Sequence, residues 1–287
     1  MHQGLEMTKE IPINLKDLNK DGIERMNYNK LIALVRETNR PPGGARSIFY
    51  ILNRLFVNDD TKILEIGTST GFTALEIARL TKSQVTAIDI NELALEEGKR
   101  RAKAEGLTNI EFKKIDVRKL SFADNSFDLV FCGNIFSIID NKEKAFEELR
   151  RVTKKRGYIV AIPMYYIRIP PKDLVKQVSN AIGINLTIND KKFWLNFFTN
   201  PYFEFYFVKD FVFDNIEEIR VKEFVKNILS RDHLKVLSKE AFETLERKYM
   251  DYMLLFRKNL SYMGYSIIIL RKTQWLEDQE LFTSYEA

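Results

Sequence analysis

The chain has very few of the residues that build disulfide frameworks or cysteine-based metal sites. Its 287 residues include one cysteine, Cys132, and two histidines, His2 and His233. A single cysteine excludes an intramolecular disulfide and any metal site made from a cysteine cluster. Cys132 lies in an apolar stretch, where we expect it to belong to the core. The sequence therefore predicts no metal site.

Long apolar runs are also missing. No apolar stretch approaches the roughly 20 residues that a membrane-spanning helix needs. The N-terminal segment MHQGLEMTKEIPINL is too polar for a signal peptide. The 45% hydrophobic content is nevertheless enough for a large core. We expect a cytoplasmic protein with one main domain and no membrane span.

Positive charge is in slight excess, but it is not concentrated. The formal net charge is +5, and the basic stretches GKRRAKAEG, LRRVTKKRG and SRDHLK contain or adjoin acidic residues. Such mixing is typical of an ordinary solvated surface and not of a patch that follows a phosphate backbone. The charge pattern therefore disfavours a nucleic acid partner.

What the sequence does contain is a strand-to-helix loop with glycine at both ends. The apolar run Lys62 to Ile66 predicts a buried strand, and Phe72 to Leu80 has the apolar spacing of a helix. Gly67 and Gly71 let the backbone turn sharply and pass close to a ligand. The amides that open the helix favour an anionic group. The segment is therefore a candidate nucleotide-cofactor loop.

Several interpretations of this loop compete. A dinucleotide fingerprint would need glycine where the chain has Ser69 and Phe72, and no Gly-Lys-Ser/Thr of a P-loop follows. The string GTSTG does match the nucleophile elbow of α/β-hydrolases, with Ser69 as nucleophile. Glu65, Gly67 and Gly71 fit the acid-x-Gly-x-Gly-x-Gly loop that holds S-adenosylmethionine, with Ser69 in place of the middle glycine. A plain turn with incidental glycines is the remaining interpretation.

The strands that follow narrow the choice. Strands alternate with helices as in a parallel sheet, whose ligands lie at the carboxyl ends of the strands. Glu65, Asp89, Asp116 and Asn134 all fall at such ends. Four polar residues in register are hard to assign to chance. The predicted later strands are Gln84 to Ile90, Ile110 to Ile115, Phe127 to Cys132 and Tyr158 to Ile162.

Residues 60 to 163 resemble a class I S-adenosylmethionine-dependent methyltransferase. The stretches ILEIGTSTGFTALEIA and VTAIDI resemble the first two motifs of that family, and IDVRKLSFADNSFDLVFC and FEELRRVTKKRGYIVAI resemble two later ones. The most similar branch contains ubiquinone and menaquinone C-methyltransferases and many small-molecule methyltransferases. The resemblance implies an α/β fold with a doubly wound, mostly parallel seven-stranded sheet, N-terminal helices and a helical, aromatic cap insertion.

The same resemblance implies S-adenosylmethionine as cofactor and assigns residues to its parts. Arg46 is an additional cofactor candidate from the N-terminal helices, since its guanidinium could bind a carboxylate through two hydrogen bonds. The other assignments are Glu65, Gly67, Thr68 and Gly71 around the methionine part, Asp89 and Ile90 at the ribose, Asp116 and Val117 at the adenine, and Asn134 near the sulfonium.

Three departures limit this transfer of roles. Ser69 stands for the middle glycine of the loop. Lys155-Arg156-Gly157, expected to form the turn before the fifth strand, lacks the proline and one glycine of the family. The chain has Phe136-Ser137-Ile138 where many relatives carry a pair of histidines. No catalysis through such histidines is available here.

Segments outside the cofactor core suggest where an acceptor binds. Helices are predicted from Ile23 to Thr38 and from Ala45 to Phe56, and they could fold over the cofactor as a lid or simply pack together. Residues 193–213 contain eleven aromatics, which we assign mostly to the core, with two or three facing a pocket. The later elements predicted are a helix Lys191 to Phe198, a strand Tyr202 to Phe213, helices Ile216 to Leu229 and Lys239 to Leu260, and a last antiparallel strand Tyr265 to Arg271.

The resulting hypothesis is methyl transfer to the oxygen, nitrogen or carbon of a small acceptor that is apolar or aromatic in part. No general base is evident, and Tyr165 is a weak catalytic candidate. The alternatives are an RNA methyltransferase, a cofactor-binding protein without turnover, and a serine hydrolase using Ser69 and His233. A homodimer is one expected assembly. The expected division is a lid at 1–58, a cofactor core at 59–163, a substrate cap at 164–260, and a final strand and tail at 261–287.

Overall fold

The computed structural model describes residues 15–273. The first 14 residues of the expected lid and the expected C-terminal tail from residue 274 onward lie outside the described residues. Within 15–273 the chain forms one mixed sheet flanked by helices. The strands are β1 Lys62–Ile66, β2 Gln84–Asp89, β3 Ile110–Lys114, β4 Phe127–Phe131, β5 Thr153–Ala161, β6 Met164–Tyr166, β7 Phe203–Val212 and β8 Met263–Lys272.

The helices alternate with the first strands and then dominate the second half of the chain. Each of β1, β2 and β4 is followed by a helix or a helical turn, as in a doubly wound fold. The α-helices are α1 Lys20–Glu24, α2 Tyr28–Leu34, α3 Ala45–Leu52, α4 Phe72–Thr81, α5 Glu92–Ala104, α6 Lys142–Val152, α7 Lys172–Ile182, α8 Lys191–Phe198, α9 Glu218–Leu229 and α10 Lys239–Leu260.

The sheet has the order β3-β2-β1-β4-β5-β8, and the first five of these strands run parallel. Strand β8 is antiparallel to β5 and β6 on one side and to β7 on the other. The eight described strands therefore fill seven positions, because β5 and β6 pair with successive parts of β8. The predicted fold class is confirmed, including the antiparallel strand inserted near the sheet edge.

Two hydrophobic clusters cover the two faces of the sheet. On one face, side chains of α3 and α4 pack on β1, β4 and β8, with Ile48, Ile77 and Ile267 fully buried. On the other face, α6 and α8 supply Leu149 and Phe198. Most aromatics of residues 193–213 belong to these two clusters or pack on them, as expected. Both faces are closed, so ligands are left with the edges of the sheet.

A third cluster joins the two ends of the described chain. Leu31 and Val35, in and just after α2, pack with Val225 of α9 and with Leu245 and Tyr249 of α10. The N-terminal helices and the late helices thus share one hydrophobic core, which we call the cap cluster. Residues expected to form a separate lid and a separate cap are in contact.

Two expectations about local structure were wrong, and two elements had not been predicted. The helix predicted over Ile23 to Thr38 is two helices, because the side chain of Asn27 accepts a hydrogen bond from the Lys30 amide and starts α2 anew. Lys155-Arg156-Gly157 does not precede β5 but lies inside it, with Arg156 at a φ of +60° beside an irregularity in the β4–β5 register. Strand β6 and helix α7 had no prediction.

We expect Phe198→Ala to lower the free energy of unfolding by about 3–5 kcal/mol, because the ring is fully buried among Trp194, Phe136 and Phe146 and its loss leaves a cavity. Denaturant unfolding measures this change. Phe56→Ala is the matched control, since Phe56 is 91% exposed and its loss should have little effect. Equal losses for both variants would contradict the packing described for α8.

Candidate active site at the carboxyl edge of the sheet

The loop between β1 and α4 has an unusual backbone. Three of its residues have a left-handed conformation, Gly67 at a φ of +71°, Ser69 at +49° and Gly71 at +86°. Ser69 thus adopts the backbone shape that glycine would supply at the middle position, although a side chain is disfavoured there. The replacement of glycine by serine has therefore not changed the form of the loop.

Both glycines of the loop are also sterically required. A Cβ added at Gly67 would lie 3.0 Å from Cδ1 of Ile135, and one at Gly71 would lie 3.0 Å from the Phe112 ring and 3.1 Å from Cα of Gly98. Such contacts are closer than ordinary packing allows. The two glycines therefore pack closely against Ile135, Phe112 and Gly98 at the start of α4.

Asp89, at the end of β2, holds this loop in place. Its Oδ2 accepts a hydrogen bond of 2.8 Å from the Ser69 amide, and its Oδ1 accepts one of 2.8 Å from the Asn91 amide. Burial raises the pKa of the Asp89 carboxyl, while these amides oppose that effect. Asp89 therefore acts as a cap at the end of β2. Each oxygen keeps a second lone pair for another donor.

Glu65, the fourth residue of β1, is a buried acid, and one of its carboxyl oxygens lacks a hydrogen-bond donor among the described residues. It is 4% exposed, and no hydrogen bond from the described residues reaches its Oε2 or the Oγ1 of Thr68. Burial raises the pKa of the Glu65 carboxyl to about 8, although the nearby Thr68 hydroxyl opposes the shift. An unpaired buried carboxylate oxygen is costly. A ligand with an ammonium group would fit this position.

The two residues expected near an adenine, Asp116 and Val117, differ in their contacts and in their burial. The Asp116 carboxylate pairs with the Arg118 guanidinium at 2.6 Å and also accepts from the Arg118 amide, and this pairing keeps the pKa of Asp116 low. Val117 is buried. Ile90, by contrast, is 66% exposed beside Asp89, where an apolar ring could cover it. The Asp116 carboxylate could accept a further hydrogen bond in addition to its pairing with Arg118.

Asn134, just beyond β4, is fixed by the start of β6. Its Oδ1 accepts from the Met164 amide at 3.1 Å, and its Nδ2 lies 3.2 Å from Sδ of Met164. Strand β6, which the sequence did not predict, therefore sets the orientation of a predicted site residue. Asn134 lies next to Ile135, which contacts Gly67, so the end of β4 and the β1–α4 loop are adjacent.

Contacts that the sequence did not indicate tie the N-terminal segment to the loop. The Thr70 hydroxyl donates to the Glu37 carbonyl at 2.8 Å, and the Asn39 amide lies 3.4 Å from Thr70 Oγ1. The Glu37 carboxyl is buried and accepts a hydrogen bond of 2.5 Å from the Tyr249 hydroxyl of α10. Burial raises the pKa of Glu37, and hydrogen bonds from Tyr249 and Tyr28 oppose the shift. Only three-dimensional contact reveals this link.

The arginines of the N-terminal segment are placed differently from one another. Arg46, the predicted cofactor residue, is exposed on the first turn of α3 and has no recorded contact with the β1–α4 loop. The guanidinium of Arg40 lies 5.2 Å from the centre of the Phe72 ring. Phe72 is the residue that directly follows Gly71 of the loop. The structure therefore brings Arg40, and not Arg46, next to the loop.

Tyr165, the weak catalytic candidate, lies on β6 within a polar network. Its hydroxyl is 3.1 Å from Ser266 Oγ and 3.4 Å from Asp210 Oδ1, and Ser266 donates to Asp210 at 2.7 Å. Lys191 forms an ion pair with Asp210. Burial raises the pKa of Tyr165. These contacts suit a residue that orients a ligand better than a base that must lose its proton.

The residues of a serine hydrolase are not assembled. The Ser69 amide is committed to Asp89, and the His233 ring is hydrogen-bonded to the Leu34 carbonyl at 3.0 Å. His233 is half-buried near the start of the 3-10 helix Asp232–Val236. Among residues 15–273 no hydrogen bond links Ser69 to His233, and no group of three His, Cys, Asp or Glu side chains could hold a metal ion. None of the described helices combines the length and apolar character needed to cross a bilayer.

Comparison with known proteins identifies methyltransferases that are similar to this chain. Residues 57–192 match the family model described as a methyltransferase domain. The chain is 33% identical over 131 residues to the demethylmenaquinone methyltransferase of Staphylococcus epidermidis, which is 45% of this chain and 52% of that enzyme. The matched part thus spans about half the length of that relative.

Solved structures share the fold. The crystal structure of the MccD protein aligns with a TM-score of 0.68 at 23% identity, covering 82% of this chain and all of that one. The phosphoethanolamine N-methyltransferase 2 of Haemonchus contortus, solved with phosphomonomethylethanolamine and S-adenosylhomocysteine, aligns with a TM-score of 0.62 at 18% identity, covering 89% and 58% of the two chains.

The buried Glu65 carboxyl should make stability depend on pH in a defined direction. The folded protein keeps this proton up to about pH 8, while the unfolded chain releases it near 4.5, so the free energy of unfolding falls as pH rises between these values. The shift sets an upper limit of about 5 kcal/mol for this loss. Urea unfolding of the wild type and Glu65→Gln at pH 5 and pH 8 measures it.

The Glu65→Gln variant lacks the titrating group, so its stability relative to the wild type should increase from pH 5 to pH 8. Glu96→Gln is the control, because Glu96 is an exposed acid on α5. A difference between wild type and Glu65→Gln that stays constant with pH would contradict the burial of a protonated carboxyl.

Proposed function

We propose that the protein transfers the methyl group of S-adenosylmethionine to a small-molecule acceptor. The proposal starts from residues 57–192, which form a class I S-adenosylmethionine-dependent methyltransferase domain similar to the quinone C-methyltransferases. The observation that carries the proposal is the unpaired Glu65 carboxylate oxygen beside a loop with three left-handed residues. This combination suits a ligand with an ammonium group and a backbone-bound polar part.

The residues that would hold the cofactor follow from their positions. Glu65 would bind the ammonium of the methionine part, and Gly67, Thr68 and Gly71, whose amides donate to the carbonyls of Ile88 and Thr68, would surround it. The second lone pairs of Asp89 would accept from the ribose hydroxyls, with Ile90 alongside. Asp116 and Val117 would meet the adenine, and Asn134 would lie near the sulfonium. Arg46 is the arginine expected from the sequence, and we place Arg40 at the cofactor instead, because its guanidinium lies beside the Phe72 ring that follows the loop.

S-adenosylmethionine, when bound, supplies a methyl group activated by its sulfonium. The chain's own residues have to align the acceptor and exclude water, and such alignment can contribute about 7–11 kcal/mol to lowering a barrier. The β1–α4 loop and Asp89 form a rigid floor for this purpose. The segment around Glu37, tied to Thr70 and to α10, would close the site from above.

The acceptor site that we propose is a cavity of about 750 Å³ where β6, β7 and the start of α8 meet. Apolar side chains line it together with Tyr165, Lys191 and Asp210. Its size is within the range of small-molecule pockets. It lies beyond the carboxyl end of β5, because β6 continues from β5 along β8. An acceptor with an apolar body and one polar group would match this lining.

Other features of the molecule remain proposals of the same kind. We retain the division into 1–58, 59–163, 164–260 and 261–287, with the first and third units joined through the cap cluster. A cytoplasmic location and a homodimer are proposed from the sequence. An RNA methyltransferase or a cofactor-binding protein without turnover are the competing functions.

The direct test is transfer of labelled methyl from S-adenosylmethionine to three acceptor classes, a hydroquinone, an alkylamine phosphate and transcribed RNA. Label in the hydroquinone alone would support an acceptor that is apolar in part. Label in the amine alone would keep small-molecule transfer but change the acceptor class. Label only in RNA, or cofactor binding without any transfer, would favour one of the competing functions.

We expect Asp89→Asn to weaken S-adenosylmethionine binding by tenfold or more, because the amide keeps one acceptor for the loop but loses the charge and the second acceptor. Isothermal titration calorimetry measures the affinity. Glu92→Gln is the control, since Glu92 is an exposed neighbour paired with Lys114 on the protein surface. Unchanged affinity in Asp89→Asn would remove Asp89 from the cofactor site.

We expect Tyr165→Phe to raise KM for the acceptor severalfold and to leave S-adenosylmethionine affinity unchanged, because the lost hydroxyl belongs to the Ser266–Asp210 network at the proposed acceptor cavity. Tyr252→Phe removes a hydroxyl that bonds the Met26 carbonyl beside the cap cluster, outside this cavity, and controls for purely structural effects. An unchanged KM for the acceptor in Tyr165→Phe, or equal losses in both variants, would exclude the orienting role.

A further inference from the structure

A second cavity borders the start of α4, next to the cofactor loop. It has a volume of about 530 Å³ and is bounded by α4, α5, the segment after α2 and the 3-10 helix Asp232–Val236. None of the proposed cofactor or acceptor residues lines it. Its lining includes four arginines, Arg36, Arg100, Arg101 and Arg231.

Three of these arginines share one carboxylate. Glu97, which is 6% exposed, lies 3.6 Å from Nε of Arg36, 2.7 Å from Nε of Arg100 and 2.8 Å from Nε of Arg101. The other acids of the lining have partners outside it, since Glu76 and Glu105 pair with Arg79 and Asp232 pairs with Lys235. The lining thus holds four arginines and four acids, and three of the arginines meet at the single carboxylate of Glu97.

Arg231 adds a fourth positive charge that no carboxylate balances by direct contact. Its Nη1 donates to the carbonyls of Val35 and Arg36, and within residues 15–273 no acid lies at ion-pair distance from it. Burial lowers the pKa of Arg231, and the nearby charge of Arg101 lowers it further. A cation in this position is stabilised by an anion.

We propose that this cavity binds a small phosphate-class oxyanion, such as pyrophosphate or the phosphate groups of a metabolite. Guanidinium groups present paired N–H donors that match phosphate oxygens, and they remain charged at any physiological pH. The exposed Arg100 and the partly buried Arg231 supply the charge from opposite walls, α5 and the 3-10 helix. The inference goes beyond methyl transfer, because this site is separate from the proposed reaction site.

Binding here would act on the cofactor loop through contacts already present. Arg101 donates to the carbonyls of Arg36 at 2.6 Å and Glu37 at 3.2 Å, and its Nη1 lies 3.3 Å from Thr70 Oγ1. An anion between Arg36 and Arg231 would hold residues 36 and 37 against Thr70. The bound anion would thus raise S-adenosylmethionine affinity, and the cofactor would raise anion affinity by the same factor.

The test is calorimetric titration of the full chain with pyrophosphate, at an ionic strength kept constant with chloride. Saturable binding to one site is expected, weakened at least tenfold by Arg231→Gln and by Arg100→Gln. Arg100→Gln is included because the Arg100 side chain is 54% exposed and its recorded contacts are with Glu97 alone, so its loss should not disturb folding. Lys99→Gln, which removes an exposed charge from the same helix, is the control and should bind normally.

A repeat titration of S-adenosylhomocysteine with saturating pyrophosphate measures the coupling, and a severalfold gain in affinity is expected. The absence of saturable pyrophosphate binding, or equal binding by wild type and an Arg100→Gln/Arg231→Gln double variant, would overturn the proposal. Neither result depends on methyl transfer, so the proposed enzyme function and this anion site can fail separately.

Discussion

The conformation of the β1–α4 loop is the constraint on which the rest of the site depends. Its left-handed residues are held by the Asp89 carboxylate on one side and by Ile135 and Phe112 on the other. The amides of Gly67 and Thr68 donate to the Ile88 carbonyl and that of Ser69 donates to Asp89, so the loop is tied to the end of β2 beside the buried acid Glu65.

The cap depends on this loop in turn. Thr70 carries the contact from the loop to the Glu37 carbonyl, and the Glu37 carboxyl accepts from Tyr249 in α10. A change in the loop would therefore affect the N-terminal helices and the late helices α9 and α10, which meet in the cap cluster. Arg101 and Arg231 bind carbonyls of the same segment, so electrostatics and packing converge on the four residues after α2.

The sequence was sufficient for the parallel part of the sheet, because apolar runs that end near Glu65, Asp89, Asp116 and Asn134 alternate with helical patterns. It was insufficient where a contact joins distant segments. Nothing local marks Glu37 as the partner of Thr70 and Tyr249, and residues 164–166 are too short to show a strand period. Nothing in the sequence separates Arg46 from Arg40, whereas in the structure the Arg40 guanidinium lies beside the Phe72 ring that follows the loop.

The central claim is that the cofactor lies over the β1–α4 loop, with its ammonium at Glu65 and its ribose at Asp89. A crystal structure of the protein soaked with S-adenosylhomocysteine tests it most directly. We expect the ligand's amino group within hydrogen-bond distance of Glu65 Oε2 and its ribose hydroxyls at the Asp89 carboxylate. Ligand bound elsewhere, or a loop that rearranges and breaks the bond between Asp89 and the Ser69 amide, would contradict the account.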